Sequence, residues 1–230
     1  MPERNTPKNW KRYLNRFSLI LAAFFAIAGL ICLILAPSQP FTDDSRQLQQ
    51  ELQQNGEMLD KAKAESEQTP ETEEAENDFT AIGDSVLLGA SQQILDLYPD
   101  SVIDASVSRQ VLDAPDIIKS LKNDGRLYHT VIIALGVNGQ FTQAVGQQVL
   151  DTIGSDHRIY WVIPYGANIT YLDKINSVLQ ALAKANANLT LNDWPSVAVQ
   201  HPEWFYDDGV HLNIDGQSGF AQFIQQSLQS

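Results

Sequence analysis

Phe79-Thr80-Ala81-Ile82-Gly83-Asp84-Ser85-Val86-Leu87-Leu88-Gly89-Ala90 decides the fold of this chain. The stretch reads as a short buried strand, a sharp turn and the opening of a helix. The strand is the apolar run ending at Ile82. Gly83 lets the backbone turn tightly without a Cβ clash. Asp84 and Ser85 then fall where the helix begins, and the first turn of a helix presents unpaired N–H groups and positive potential. An aspartate or serine there is an ordinary helix cap. A serine hydroxyl there also faces a place suited to a developing oxyanion. The residues further along decide between these readings.

Downstream, apolar β-branched runs alternate with helical periods. The spacing predicts strands over 79–82, 102–104, 130–135, 158–164 and 188–191. Helical stripes run over 86–98, 111–121, 142–153, 169–185 and 214–229, the last with Asn213 as N-cap and Phe220, Phe223, Ile224 and Leu228 as its core face. Strict alternation of strand and helix predicts an α/β fold, a three-layer α/β/α sandwich around a mostly parallel five-stranded sheet. Ligands of such sheets sit beyond the carboxyl ends of the strands. Polar clusters at Gly83–Ser85, at 106–110, at Gly136–Gly139 and in the loop leading to His211 therefore share one rim.

Upstream, residues 17–36 are 20 residues without a charge. At 1.5 Å per residue this spans roughly 30 Å, the thickness of a bilayer's hydrocarbon core. Pro37 follows Ala36 directly and Ile34 occupies the position three before a cut, so the run reads as an uncleaved transmembrane anchor rather than a secretory signal. Bulky Ile31 before Cys32 argues against a lipoprotein site. Arg4, Lys8, Lys11, Arg12 and Arg16 precede the span. They predict a cytoplasmic tail over 1–16 and a globular part outside the cytoplasm. Residues 37–78 carry 12 acids against 3 bases and read as an acidic flexible linker, disordered from Glu65 on, with two turns of helix over 47–54. As a coil it would hold the domain roughly 35 Å from the membrane. Net charge is −13, which disfavours nucleic acid as a partner. Cys32 is the single cysteine, so the globular part has neither disulfide nor thiol chemistry.

The loop before the last helix contains Asp207-Asp208-Gly209-Val210-His211. Three residues of separation on a turn let the Asp208 carboxylate reach the imidazole Nδ1–H, which orients the ring and frees Nε2 to take a proton from a hydroxyl. Asp207 is a second candidate for that role. His129, His157 and His201 lack such an arrangement, and no ligand spacing predicts a metal. In Gly136-Val137-Asn138-Gly139 the glycines permit close approach, and the asparagine amide is a donor for a reacting oxygen. A turn with no ligand is the alternative.

Gly83-Asp84-Ser85, Gly136-x-Asn138 and Asp208-x-x-His211, in this order, resemble the SGNH/GDSL hydrolase superfamily over about 150 residues, from Phe79 onward. More narrowly, Ile82–Val86, Asp104-Ala105-x-x-Ser108-Arg109-Gln110 and 208–212 resemble the extracytoplasmic domain of bacterial peptidoglycan O-acetyltransferases. The resemblance implies a catalytic domain over 79–230 of the SGNH, flavodoxin-like kind. It implies Ser85 as nucleophile, His211 as general base and acid, and Asp208 as orienting acid. The Ser85 N–H and the Asn138 side chain would form the oxyanion hole. Ser108 stands where the family usually has a glycine; it keeps the N–H but tolerates positive φ poorly. Arg109 and Gln110 would either fix the loop or bind substrate. The implied reaction is acetyl transfer through an acyl-serine to a cell-wall glycan hydroxyl, without metal or soluble cofactor. The alternatives are an acetylesterase on wall or capsule polysaccharide and a non-catalytic glycan-binding module. The family's membrane-embedded acetyl-donor protein is implied as a partner, either separate or as part of a longer chain.

Overall fold

A computed structural model describes residues 43–66 and 78–229. Five strands, β1 (Thr80–Gly83), β2 (Val102–Ala105), β3 (Thr130–Ala134), β4 (Arg158–Val162) and β5 (Leu189–Asn192), form one parallel sheet in the order β2-β1-β3-β4-β5. Helix α1 (Asp43–Ser66) precedes them. The crossovers carry α2 (Ser85–Leu97), α3 (Ala114–Asn123), α4 (Gln143–Ile153) and α5 (Leu172–Ala185). The short α6 (Trp194–Ala198) and the final α7 (Ile214–Leu228) follow β5.

The strand pleat separates two cores. Ile82, Val131, Ile133, Ile159 and Trp161 point to one face and meet Ile118, Leu121, Val149, Ile153, Ile175, Leu179 and Leu182 of α3, α4 and α5. Ala81, Ile103, Ile132 and Val162 point to the other and meet Leu87, Ile94, Trp194, Phe220 and Ile224 of α2, α6 and α7. Alternate residues of one strand thus serve opposite layers, as a sheet buried on both faces requires. The predicted α/β/α sandwich and its five parallel strands are what the structure has.

Strand β1 is flanked by β2 and β3, whose connections leave in opposite senses. This is the switch point of the sheet, where a crevice opens beyond the strand ends. Gly83 ends β1 there. A Cβ at Gly83 would lie 2.5 Å from Leu87 Cβ, so only glycine lets α2 turn back so tightly.

Over residues 43–66, helix α1 corrects the flexible-linker reading. It runs 24 residues instead of two turns. Asp43 and Asp44 in its first turn and Lys63 in its last complement the helix dipole. Gln47 and Gln53 each donate to a glutamate one turn on, at 2.9 Å. Leu59 is buried, and Leu52 and Met58 pack on the α2–α7 core, which supplies the apolar partner the local composition lacks. Residues 67–77 and the expected membrane span over 17–36 lie outside the described residues. No described helix is long and apolar enough to cross a membrane.

Smaller differences have local causes. The helix predicted over 111–121 is a 3-10 turn, Val111–Asp113, followed by α3, because Pro115 restarts the helix in its first turn. The one predicted over 169–185 begins at Leu172.

Candidate active site

Asp84 caps α2: its Oδ1 accepts the Val86 N–H at 3.0 Å. Ser85 therefore occupies the first helical position, where backbone amides have no intrahelical acceptor. The Asp84 N–H donates to Ala134 O at 3.2 Å, tying the turn to the end of β3. Asp84 itself is 1% exposed, and its Oδ2 has no hydrogen-bond partner among the described residues. Burial pushes its carboxyl up from 3.8 to about 6, against the downward pull of the Val86 N–H, His211 and Arg109.

The loop before α7 brings the imidazole to this turn. His211 Nε2 lies 2.9 Å from Ser85 Oγ, and Nδ1 lies 2.6 Å from Asp208 Oδ2. The other carboxylate oxygen of Asp208 accepts the Val210 and His211 N–H groups at 2.8 and 2.9 Å. Burial would raise this carboxyl. The hydrogen bonds from the His211 side chain and from the two amides outweigh it and hold Asp208 at about 2. Gly209, at φ +67, makes the turn, and its carbonyl accepts the Ala167 N–H at 2.9 Å. Of the two adjacent aspartates, the one facing the imidazole is Asp208.

His129 and His157 stack on one another, and His201 stacks on Trp204 and bonds Glu203. Among the described residues no group of three or more His, Cys, Asp or Glu side chains is placed to hold a metal ion.

Ser108 adopts φ +61, alone among the described non-glycine residues in having a positive φ. The backbone takes the shape a glycine would take, and serine keeps the amide there at a steric cost. Arg109 turns inward. Its Nη1 donates to Gly83 O at 3.1 Å and also to Asp104 O, and its Nη2 donates to Asp104 Oδ1 at 2.6 Å. Arg109 thus fixes the loop to the end of β1, the first of the two roles the sequence left open. The Gln110 N–H donates to Asp113 Oδ2 at 2.8 Å, which starts the 3-10 turn.

Asn138 Nδ2 donates to Arg109 O at 3.2 Å, so the loops after β2 and β3 are joined. An amide carries two N–H donors, and this bond uses one. Gly136, at φ +135, packs under Pro164. The Tyr171 hydroxyl donates to Val137 O and pins the same loop. Sequence reasoning missed Tyr171, because nothing local marks a tyrosine 34 residues away as a loop anchor.

The geometry is a serine hydroxyl, an imidazole and a carboxylate in one hydrogen-bonded row at the carboxyl end of a parallel sheet. No family model matches the chain. It is 34% identical over 190 residues to YrhL of Bacillus subtilis, named for a peptidoglycan O-acetyltransferase, covering 82% of this chain and 30% of that protein. It is 30% identical over 150 residues to the O-acetyltransferase OatA of Staphylococcus aureus, covering 65% of this chain and 24% of that protein. The chain thus spans about a quarter to a third of the length of these curated relatives. Among solved structures, the C-terminal catalytic domain of Streptococcus pneumoniae OatA, carrying a methylsulfonyl adduct, superposes with a TM-score of 0.61. It is 28% identical and covers 66% of this chain and 93% of that one. A GDSL-like lipase from Bacteroides thetaiotaomicron superposes with a TM-score of 0.58 at 14% identity over 74% of this chain and 97% of that one, a likeness of fold alone. The chain has the SGNH/GDSL hydrolase fold. Its homologues are peptidoglycan O-acetyltransferases.

Proposed function

We propose that this chain is a serine acyltransferase that moves an acetyl group, through an acyl-serine, to a hydroxyl of a cell-wall glycan. The observation that carries the proposal is the chain of contacts Ser85 Oγ–His211 Nε2 at 2.9 Å and His211 Nδ1–Asp208 Oδ2 at 2.6 Å.

His211 takes the Ser85 proton as Oγ attacks the donor's acetyl carbonyl. The carbonyl oxygen becomes an oxyanion, facing the Ser85 N–H, the Asn138 amide and the Ser108 N–H. The C–O bond to the donor breaks, and the imidazolium returns its proton to the leaving oxygen. A sugar hydroxyl then attacks the acetyl-serine, with His211 taking its proton and handing it back to Ser85. Ionised Asp208 holds the ring in one orientation and stabilises the imidazolium. Water in place of the sugar makes the same site an acetylesterase.

The names of the relatives, their identity over the globular part and the order of the motifs support the glycan acceptor. The apolar span over 17–36 with its basic flank supports a membrane anchor and an extracytoplasmic domain. The acetyl donor would come from a membrane-embedded partner protein.

The test is incubation of the chain with an activated acetyl ester and a chitooligosaccharide. An O-acetylated sugar that disappears with Ser85→Ala is the expected product. Free acetate alone would leave the esterase reading and remove the transferase one.

A further inference from the structure

Helix α1 touches both halves of the site without reaching either reacting atom. Asn55 Nδ2 donates to Leu88 O at 3.0 Å and to Gly89 O at 2.9 Å, in the first turns of α2, the helix that Ser85 opens. Leu52 lies over the same turn, its Cδ2 at an ordinary contact distance of 3.9 Å from where a Cβ on Gly89 would stand. One turn earlier, Glu51 Oε2 accepts two hydrogen bonds, from the Tyr206 hydroxyl at 3.0 Å and from Gln217 Nε2 at 3.0 Å.

Both donors belong to the frame of the histidine loop. The Tyr206 N–H donates to His211 O at 2.9 Å, and Tyr206 O accepts the Gly209 N–H at 2.9 Å. Buried Gln217 also donates to Leu212 O at 3.1 Å, and its Oε1 accepts from Gln93 Nε2 of α2 at 2.9 Å. A single helical turn of α1, from Glu51 to Asn55, therefore holds the helix that begins with Ser85 and the loop that carries His211.

A half-buried carboxylate on this face is costly unless donors meet it. Three donors do, Gln47 on Oε1 and Tyr206 and Gln217 on Oε2, and hydrogen bonds to a charged acceptor are stronger than neutral ones. A leucine would bury here without that demand, so stability alone does not call for the charge. The Tyr206 hydroxyl is pushed well above its ordinary range, first by burial and then by the bond and charge of Glu51, so it remains a donor. Asp207 and Asp208 lie exposed in the loop, and buried Tyr206 beside them is where the loop meets α1.

We propose that Glu51 is a positioning residue for the proposed reaction, setting the Ser85–His211 contact through Tyr206 and Gln217. The proposal rests on the acyl-serine reading of the site. It makes α1 a working part of the catalytic unit.

The full chain is tested by the rate of covalent labelling with a fluorophosphonate and by steady-state hydrolysis of p-nitrophenyl acetate. Glu51→Ala and Tyr206→Phe should each lower kcat and the labelling rate by about 10- to 100-fold, with KM little changed, because displacement of a reacting group by about 1 Å costs that much. Glu51→Gln keeps an oxygen able to accept both bonds and should restore most of the rate. Gln54→Ala, on the exposed face of α1, should match the parent chain. Thermal melting of each variant identifies any that fail to fold, and the Tyr206→Phe variant retains the packed ring. Parent-like kcat and labelling in folded Glu51→Ala and Tyr206→Phe would overturn the proposal. An unlabelled parent chain would instead remove the acyl-serine reading itself.

Discussion

Ser85 Oγ and His211 Nε2 lie 2.9 Å apart although 126 residues separate them in the chain. The parallel sheet brings the end of its first strand beside the loop after its last, so the contact is a product of topology. Ser85→Ala should abolish fluorophosphonate labelling. His211→Ala and Asp208→Asn should lower kcat by about 10³- to 10⁴-fold or more, with the fold intact by circular dichroism. Asp207→Asn should cost far less, because the carboxylate on Nδ1 belongs to Asp208.

Asp84 predicts a pH-dependent stability. Its carboxyl stands at about 6 in the fold against an ordinary 3.8, so the folded state holds the proton more tightly than the unfolded one. Well below pH 3.8 both states are protonated and Asp84 costs nothing. As pH rises through 6 the fold loses up to about 3 kcal/mol relative to the unfolded chain. Asp84→Asn keeps an oxygen for the Val86 N–H. Urea unfolding at pH 4 and pH 7 should show a smaller fall in stability for the variant than for the parent; equal falls would contradict the assignment.

Much of this was legible from the sequence. The runs ending at Ile82 and Leu135 are apolar and β-branched because both sheet faces are covered, and such runs mark strands within a residue or two. The site loops were legible because polar residues follow each run. What escaped notice depends on distant partners. Helix α1 is glutamine-rich, with few apolar residues, and its helicity comes from the surface of α2 that it covers. Trp194–Ala198 is only five residues long, too short for a helical period to show. The inward turn of Arg109 depends on Gly83 O, 26 residues away.

Ser108 carries a conformational penalty. A left-handed backbone costs a non-glycine residue about 1–2 kcal/mol, while glycine loses about 0.5–1 kcal/mol through its freer unfolded chain. Ser108→Gly should therefore be neutral or stabilising by about 1 kcal/mol and leave activity intact. Ser108→Val should destabilise and lower kcat, because a branched Cβ resists this φ. Denaturant midpoints and acetyl-ester turnover check both.

Arg109 should behave as a keystone of the loops. Its side chain is 12% exposed and paired with Asp104. Arg109→Ala leaves that carboxylate and two carbonyls unmatched, at a cost of about 3–5 kcal/mol. Arg109→Lys should recover little, since one ammonium cannot reproduce the planar fork. Thermal unfolding of the two variants measures this, and a lysine variant as stable as the parent would contradict it.

Because the hydroxyl sits at the close of the first strand and the imidazole just before α7, the proposed transfer would need every strand and the loop over 207–211 in place. A chain cut before Asp207 would keep all five strands yet lack both the imidazole and its carboxylate. The order of the residues along the polypeptide thus couples the proposed reaction to completion of the fold.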